Sequence, residues 1–210
     1  EKLNQCSPAT LVSISKIIDI LLEQEKMQLS HHPVLKELDL SMKPSLDFAR
    51  DMFLFSFYTR GMSFVDMAYL RKIDLQNGIL TYRRRKTGQQ LTIKWEKCME
   101  EIICKYQSNK TDYLFPIFKV QDNERKQYDN ALHLVNYRLK DLSKILKLQR
   151  PLTLYVARHS WASAAKAKNI PLSVICEGMG HESEKTTQIY LASLETSVVD
   201  KANKVILESL

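Results

Sequence analysis

No part of this 210-residue chain is apolar for long enough to cross a bilayer as a helix. The longest apolar run, MFLFSFY at 52–58, falls far short of the roughly 20 residues such a helix needs, and no secretory signal is recognisable. The four cysteines, Cys6, Cys98, Cys104 and Cys176, form no CxxC pair and share no metal-ligand spacing with the five histidines. That excludes a zinc or disulfide scaffold and points to free thiols in a reducing cytoplasm. His31 and His32 stand together in HHP but have no third ligand nearby, so no metal site is expected. Acidic residues are also scarce: 24 Asp and Glu face 31 Lys and Arg, a net charge of +7 with a pI near 9.1. Such an excess suits a polyanionic partner rather than a membrane. A hydrophobic content of 44% in a chain of this length supports one sizeable core or two small ones.

What is present reads mainly as helix. Leu11, Ile14, Ile17, Ile18, Leu21 and Leu22 recur at helical spacing within residues 8–24, followed by a loop from the HHP at 31–33 to Lys43-Pro44. Pro44 opens a second helix through about Tyr58, apolar on nearly all sides (Leu46, Phe48, Met52, Phe53, Leu54, Phe55, Phe57) and therefore central and buried. Gly61 interrupts it. Ser63-Phe-Val-Asp66 reads as a capping box that opens a short helix through Leu70, with Ser63 as the N-cap.

Three antiparallel strands are expected next: IDL at 73–75, ILTYRRR at 79–85 and QQLTIKW at 89–95. Asn77-Gly78 and Lys86-Thr87-Gly88 join them as hairpin turns. Residues two apart share a strand face, so Arg84 is expected to point the same way as Lys86 at the hairpin tip. Amphipathic helices are predicted at 95–107 and 129–147, with a polar loop KVQDNERKQ between them and a break at Arg150-Pro151. His133 reads as structural. The fold class is α+β, mostly α-helical with a small three-stranded antiparallel sheet.

The stretch Tyr155–Tyr190 concentrates the chemistry. Arg158 begins an alanine-rich helical segment at 157–167, where a planar guanidinium can clamp two oxygens of a phosphate. His159 faces another direction and reads as structural. Pro171 fits the first position of a further helix. His181 follows Gly178-Met179-Gly180, whose backbone can bring the imidazole close to a ligand. Tyr190 closes EKTTQIY, one or two turns of helix, and a last amphipathic helix spans 198–207.

Tyr155-Val-Ala-Arg158, Met179-Gly180-His181 and Thr186-Thr187-Gln188-Ile189-Tyr190 together resemble the second catalytic block of the tyrosine recombinases, the phage integrase family, with its H-x-x-R, L-G-H and TTxxY segments. Tyr155 stands where that family usually has His. FSFYTRGMSFVDMAYL and YVARHSW are most similar to the integrases of Bacteroides conjugative and mobilizable elements, and the resemblance covers roughly residues 35–195. GMSFVDM at 61–67 aligns with the family's GLRxSEL, which puts Ser63 at the position of the first catalytic Arg. A serine cannot supply that charge. Arg84 is the first candidate to replace it, with Arg60 and Arg50 as alternatives.

The resemblance implies a catalytic domain at 35–210, preceded by a helix and linker at 1–34 that leads from an absent DNA-binding domain. Because the sequence begins with Glu rather than Met, it is expected to be part of a longer protein. Tyr190 would attack a phosphodiester of double-stranded DNA and form a 3′-phosphotyrosyl bond. Arg158, the replacement Arg and His181 would neutralise and orient the phosphate, Tyr155 would keep a hydrogen-bond donor there, and Lys86 would protonate the leaving 5′ oxygen. Arg83, Arg84 and Arg85 would contact DNA phosphates. The resemblance further implies a homo-tetramer on DNA held through the C-terminal tail, accessory DNA-bending proteins, a role in integrating or excising a mobile element, and no cofactor or metal. A DNA-binding module of the same fold that has lost catalysis is the alternative permitted by Ser63. A relaxing topoisomerase fits the wording and size less well, and a helical protein–protein scaffold would not need these residues together.

Overall fold

The computed structural model describes residues 35–120, 122–148 and 151–192, with Ile189, Tyr190 and Ala192 described by their backbone alone. The helices expected at 8–24 and 198–207, the His31-His32 pair, Cys6 and Arg150 lie outside the described residues. In chain order the elements are α1 (Pro44–Tyr58), α2 (Phe64–Ala68), a 3-10 turn (Lys72–Asp74), β1 (Leu75–Gln76), β2 (Ile79–Arg83), β3 (Gln90–Lys94), α3 (Lys97–Cys104), α4 (Glu124–Ile145), α5 (Leu154–Ala167), α6 (Leu172–Met179) and α7 (Glu184–Ala192).

α1 is the hub, packed against α3, α4 and α5. Proline at its first position removes an N–H that would have no partner there. Most of its apolar residues become core, while Phe48 and Phe57 are half-buried: Met52 and Phe55 are fully buried, and the Phe55 ring meets Phe115 edge-on at 4.9 Å. Strands β1, β2 and β3 form one antiparallel sheet in sequence order, with Tyr82 opposite Leu91 and Arg83 opposite Gln90. A smaller apolar cluster (Ala162, Ala165, Ile175, Met179, Leu191) joins α5, α6 and α7.

Several boundaries differ from the sequence expectation. Ile73 and Asp74 belong to the 3-10 turn, where Asp74 Oδ2 accepts the Arg71 N–H at 2.7 Å, so the first strand starts at Leu75. α3 is shorter at both ends than 95–107, and α2 stops at Ala68 rather than Leu70. α4 starts at Glu124, inside the stretch expected to be loop. Asn123 takes a left-handed conformation and caps it, its Oδ1 accepting the Lys126 N–H at 3.1 Å. The polar ERKQ run is therefore the first turn of an exposed helix, with Gln127 folding back to the Lys119 N–H and the Val120 carbonyl. Thr153 caps α5 by accepting the Val156 N–H at 3.2 Å, which adds a turn before the expected start at 157. Among the described residues no helix is long and apolar enough to cross a membrane.

Candidate active site

α1 ends in two consecutive left-handed residues, Arg60 (φ 62°) and Gly61 (φ 76°). The Gly61 N–H donates to the Ser56 carbonyl at 2.7 Å, and Ser56 Oγ donates to the Met62 carbonyl at 2.7 Å, which closes the turn. The turn sets Gly61 against α5 so closely that a Cβ there would lie 2.7 Å from Arg158 Cγ and 2.9 Å from its Cα. Only glycine fits this approach and this φ. The Gly61 carbonyl then accepts Arg158 Nη1 at 2.6 Å, and the Met179 carbonyl at the end of α6 accepts Nη2 at 2.8 Å. The guanidinium is thus fixed from two directions.

His181 Nε2 lies 3.0 Å from Arg158 Nη2, and His181 Nδ1 lies 2.7 Å from Thr187 Oγ1. A guanidinium cannot accept a hydrogen bond, so Nε2 is the acceptor and Nδ1 carries the proton, donating it to Thr187. Burial first, and then the charges of Arg158, Arg84 and Lys86, push the imidazole pKa down to about 4. The ring is therefore neutral at pH 7. In this fold the ring presents a lone pair at Nε2.

Arg84 lies just beyond β2, where its N–H still donates to the Gln89 carbonyl at 2.8 Å and continues the ladder. Its side chain is buried, and Nη1 donates to the Gly180 carbonyl. Gly180 is the left-handed C-cap of α6 (φ 63°), and a Cβ there would come 2.8 Å from Leu91 Cδ1 and 3.3 Å from Arg84 Cδ. Consecutive carbonyls, Met179 and Gly180, thus hold one guanidinium from α5 and one from the hairpin, immediately before His181. Lys86 is exposed in the turn after β2, near enough for its charge to act on His181. The shared-face expectation for Arg84 and Lys86 rested on a strand that ends at Arg83, so the two side chains take different environments.

Arg60 packs its Cδ 3.6 Å from the position of a Cβ on Gly178, and its charge, with those of Arg84 and Arg158, acts on the buried Tyr82 hydroxyl. Arg50 is elsewhere. Its guanidinium is buried and bound to the Asp47 carboxylate, the Leu38 carbonyl and, at 3.4 Å, Asp51, which also takes Lys105 Nζ and the Tyr106 hydroxyl at 2.7 Å each. This network ties α1 to α3 and to the segment before α1, and removes Arg50 from the candidates for the missing charge.

Ser63 Oγ accepts the Asp66 N–H at 3.4 Å and donates to Asp66 Oδ2 at 2.6 Å, so Ser63 serves as a helix cap. Asp66 is buried, and its Oδ1 accepts the Arg85 N–H at 2.8 Å, which ties α2 to the hairpin. Arg85 stacks on the Tyr69 ring at 3.6 Å, and Arg83 Nη1 donates to the Gly88 carbonyl at 2.8 Å. Both line a cleft of about 530 Å³ with Tyr69, Arg71 and Tyr113. The three consecutive arginines are thus split between two environments. Tyr155 is exposed on the first turn of α5, its ring 4.2 Å from that of His159 at 88°. His159 is half-buried, with its pKa lowered by burial and by Arg158. Tyr190 stands in α7, three residues after Thr187.

Sequence reasoning did not single out Gly61, Asp66 or Thr187 as site residues. The Ser63-x-x-Asp66 spacing, the glycine at a helix break and the place of Thr187 in the TTxxY segment carried local signals; the contacts of Asp66 with Arg85 and of Gly61 with Arg158 span 19 and 97 residues. Among the described residues no group of three or more His, Cys, Asp or Glu could hold a metal ion.

Two fixed guanidiniums, a lysine and a neutral imidazole are groups that can together bind a tetrahedral anion. Residues 44–197 match the model of the Phage integrase family, and the chain belongs to that family. It is 28% identical over 127 residues to the "Probable integrase/recombinase protein" of Methanocaldococcus jannaschii, an alignment covering 58% of this chain and 38% of that one. It is 27% identical over 138 residues to tyrosine recombinase XerA of Thermococcus kodakarensis, covering 63% and 47%. The matched region is thus less than half the length of either relative. The fold is that of the XerH site-specific recombinase solved in a post-cleavage complex with its palindromic difH substrate: TM-score 0.60, 18% identity, 87% of this chain and 51% of the other.

Proposed function

We propose that this chain is the catalytic part of a site-specific DNA recombinase that breaks and rejoins double-stranded DNA through a 3′-phosphotyrosyl bond to Tyr190. One observation carries the reading: Arg158 and Arg84 are held on the consecutive carbonyls of Met179 and Gly180, flanking a neutral His181, three residues before the helix that bears Tyr190.

The chemistry follows from these groups. A scissile phosphate entering between the guanidiniums takes donors from Arg158 and Arg84, with Arg60 the remaining alternative for the second charge. Phosphate binding offsets the positive charge that depresses His181, so Nε2 gains basicity as the substrate arrives. A tyrosine hydroxyl has a pKa near ~10 and needs such help to act as a nucleophile. As the phosphate draws the Arg158 guanidinium off His181 Nε2, that lone pair takes the Tyr190 proton, the tyrosine O–P bond forms, and the P–O5′ bond breaks. Lys86 gives a proton to the departing 5′ oxygen. The phosphodiester's energy stays in the phosphotyrosyl bond, so a 5′-hydroxyl from a second strand reverses the step. Arg83 and Arg85 supply flanking phosphate contacts and Tyr155 an added donor. The complete protein would act as a homo-tetramer on DNA, joined through its C-terminal tail and aided by DNA-bending proteins. The wording around Ser63 and Arg158 favours the Bacteroides conjugative-element branch and a role in integration or excision.

The loss of charge at Ser63 favours one other reading, a catalytically silent DNA-binding module. A nicked suicide duplex carrying the element's junction separates the two. Incubated without added metal, the full-length protein should give a covalent adduct that Tyr190→Phe does not. Tight, salt-sensitive binding with no adduct from the wild type overturns the recombinase reading.

A further inference from the structure

Arg60 ends α1 at a position where glycine is the usual residue. Its N–H donates to the Phe57 carbonyl at 3.2 Å, the Gly61 N–H reaches back to Ser56, and its own φ is 62°. A residue with a Cβ is strained in that conformation. Lys147 takes the same place after α4 but is exposed, whereas Arg60 is half-buried and lies against α6. We propose that Arg60 is a substrate-binding residue that holds the DNA phosphate immediately 5′ of the scissile one and so fixes the register of the cleaved strand. The proposal rests on the recombinase reading and deepens it.

The Arg60 guanidinium has no hydrogen bond or ion pair among the described residues. The other buried or half-buried arginines all have one: Arg50 with Asp47, Arg84 with the Gly180 carbonyl, Arg138 with Asp141 and Arg158 with the Gly61 carbonyl. A partly desolvated charge with no partner in the protein is suited to a partner from outside, and a planar guanidinium matches a phosphate.

Its place relative to the other two arginines assigns which phosphate. Three consecutive residues at the end of α6 each meet one guanidinium side chain. A Cβ on Gly178 would lie 3.6 Å from Arg60 Cδ and 2.9 Å from Trp161 Cη2, so this glycine leaves room for the arginine stem beside the indole. The Met179 carbonyl then takes Arg158 and the Gly180 carbonyl takes Arg84. Beyond Gly180 comes the hairpin, with Leu91 and Gln89 against it and Lys86 in its turn. Arg60 and Lys86 therefore stand on opposite flanks of the Arg158–Arg84 pair. The electrostatics agree: Arg158, Arg84 and Lys86 act on His181, while Arg60 acts with Arg84 and Arg158 on Tyr82. A phosphodiester has two non-bridging oxygens, which Arg158 and Arg84 serve. Lys86 faces the departing 5′ oxygen, so its flank follows the strand 3′ of the break. Arg60, on the other flank, meets the strand before the break.

The test measures equilibrium affinity of the full-length protein for the junction duplex, with a neutral methylphosphonate at the scissile phosphate or at either neighbour on the cleaved strand. Arg60→Met keeps an apolar stem over Gly178 and removes the charge. For the wild type, the neutral 5′ neighbour should weaken binding by about 10- to 100-fold. On the ordinary duplex Arg60→Met should lose a similar factor, and its slope of log affinity against log salt should be shallower by about 1. Combining the variant with the neutral 5′ neighbour should cost no more than either change alone, while the penalties at the scissile phosphate and the 3′ neighbour keep their full size. Losses that multiply at the 5′ neighbour overturn the proposal. So does a wild type that tolerates the neutral 5′ neighbour, or a shared loss that falls on another of the three phosphates. The cycle is read from binding alone, so a wild type that shows it but forms no adduct refutes the recombinase reading and leaves the Arg60 assignment standing.

Discussion

Replacing Gly61 with alanine perturbs the site through one methyl group. The new Cβ would stand 2.7 Å from Arg158 Cγ, 2.9 Å from its Cα and 3.0 Å from its Cβ, against the ~3.5–4.0 Å at which carbon atoms rest. Because one of those atoms is backbone, Arg158 cannot swing aside; the α1 terminus or α5 must move by about 1 Å. Displacing a group that positions the reacting phosphate by that much costs about 100-fold in rate. The left-handed φ of 76° at Gly61 adds its own strain, worth about 1–2 kcal/mol for a residue with a Cβ. Overpacking contributes about 1–3 kcal/mol more. The total lies below the stability of an ordinary domain, about 5–15 kcal/mol, so the variant should fold at 25 °C. Gly78→Ala is the control: its φ is 72° but nothing lies within 4 Å of the added Cβ. Urea unfolding and single-turnover adduct formation should show Gly78→Ala paying strain alone with normal cleavage, and Gly61→Ala losing more stability and at least 100-fold in cleavage. Cleavage by Gly61→Ala at the wild-type rate would refute the claim that this approach holds Arg158 in its working position.

Three further outcomes follow from the same geometry. Arg84→Ala should lower single-turnover cleavage by about 100- to 1000-fold, the scale of losing one donor to a developing oxyanion, while Arg50→Ala, which leaves Asp47 and Asp51 paired with Lys105 but strips the Leu38 carbonyl of its donor, should lose about 1–3 kcal/mol of stability and keep the cleavage rate of its folded fraction; the reverse pattern would return Arg50 to the site. The lowered pKa of His181 means the unfolded chain binds more protons than the folded one between about pH 4 and 6.5. Its contribution makes stability fall as pH drops through that window and stay level above it, and His181→Gln should flatten the slope in denaturant titrations at successive pH values. Phe55→Ala, which empties a fully buried position between the Phe115 and Trp95 rings, should cost about 3–5 kcal/mol by urea unfolding.

How far the sequence carried depended on how local each cause was. α1 was legible because proline at its first position and apolar residues on all sides are contiguous signals, and Ser63 was legible as a cap because its partner Asp66 is three residues away. The sheet was legible through Asn77-Gly78, whose residues both have positive φ. The start of α4 was missed because polar residues in the first turn of an exposed helix look like loop, and the decisive feature, a left-handed Asn123 cap, is conformational. At the candidate site, residue types pointed to Arg158 and His181, the resemblance to the tyrosine recombinases added Lys86 and Tyr190, and strand alternation singled out Arg84. The strand itself ends at Arg83, and the ladder bond to Gln89 keeps Arg84 inward, where its guanidinium meets the Gly180 carbonyl. The neutral state of His181 and the exclusion of Arg50 were not legible. Both depend on charges and carbonyls that meet only once the chain is folded.

The most direct test of the account is to locate the covalent bond. The adduct trapped from full-length protein and the suicide duplex should be digested and sequenced by tandem mass spectrometry, with the released DNA end assayed for a 5′-hydroxyl by direct kinase labelling. The account predicts a nucleotide joined through its 3′ phosphate to Tyr190 and a 5′ end that labels without phosphatase treatment. A nucleotide on any other residue, or a 5′-phosphate linkage, would contradict it.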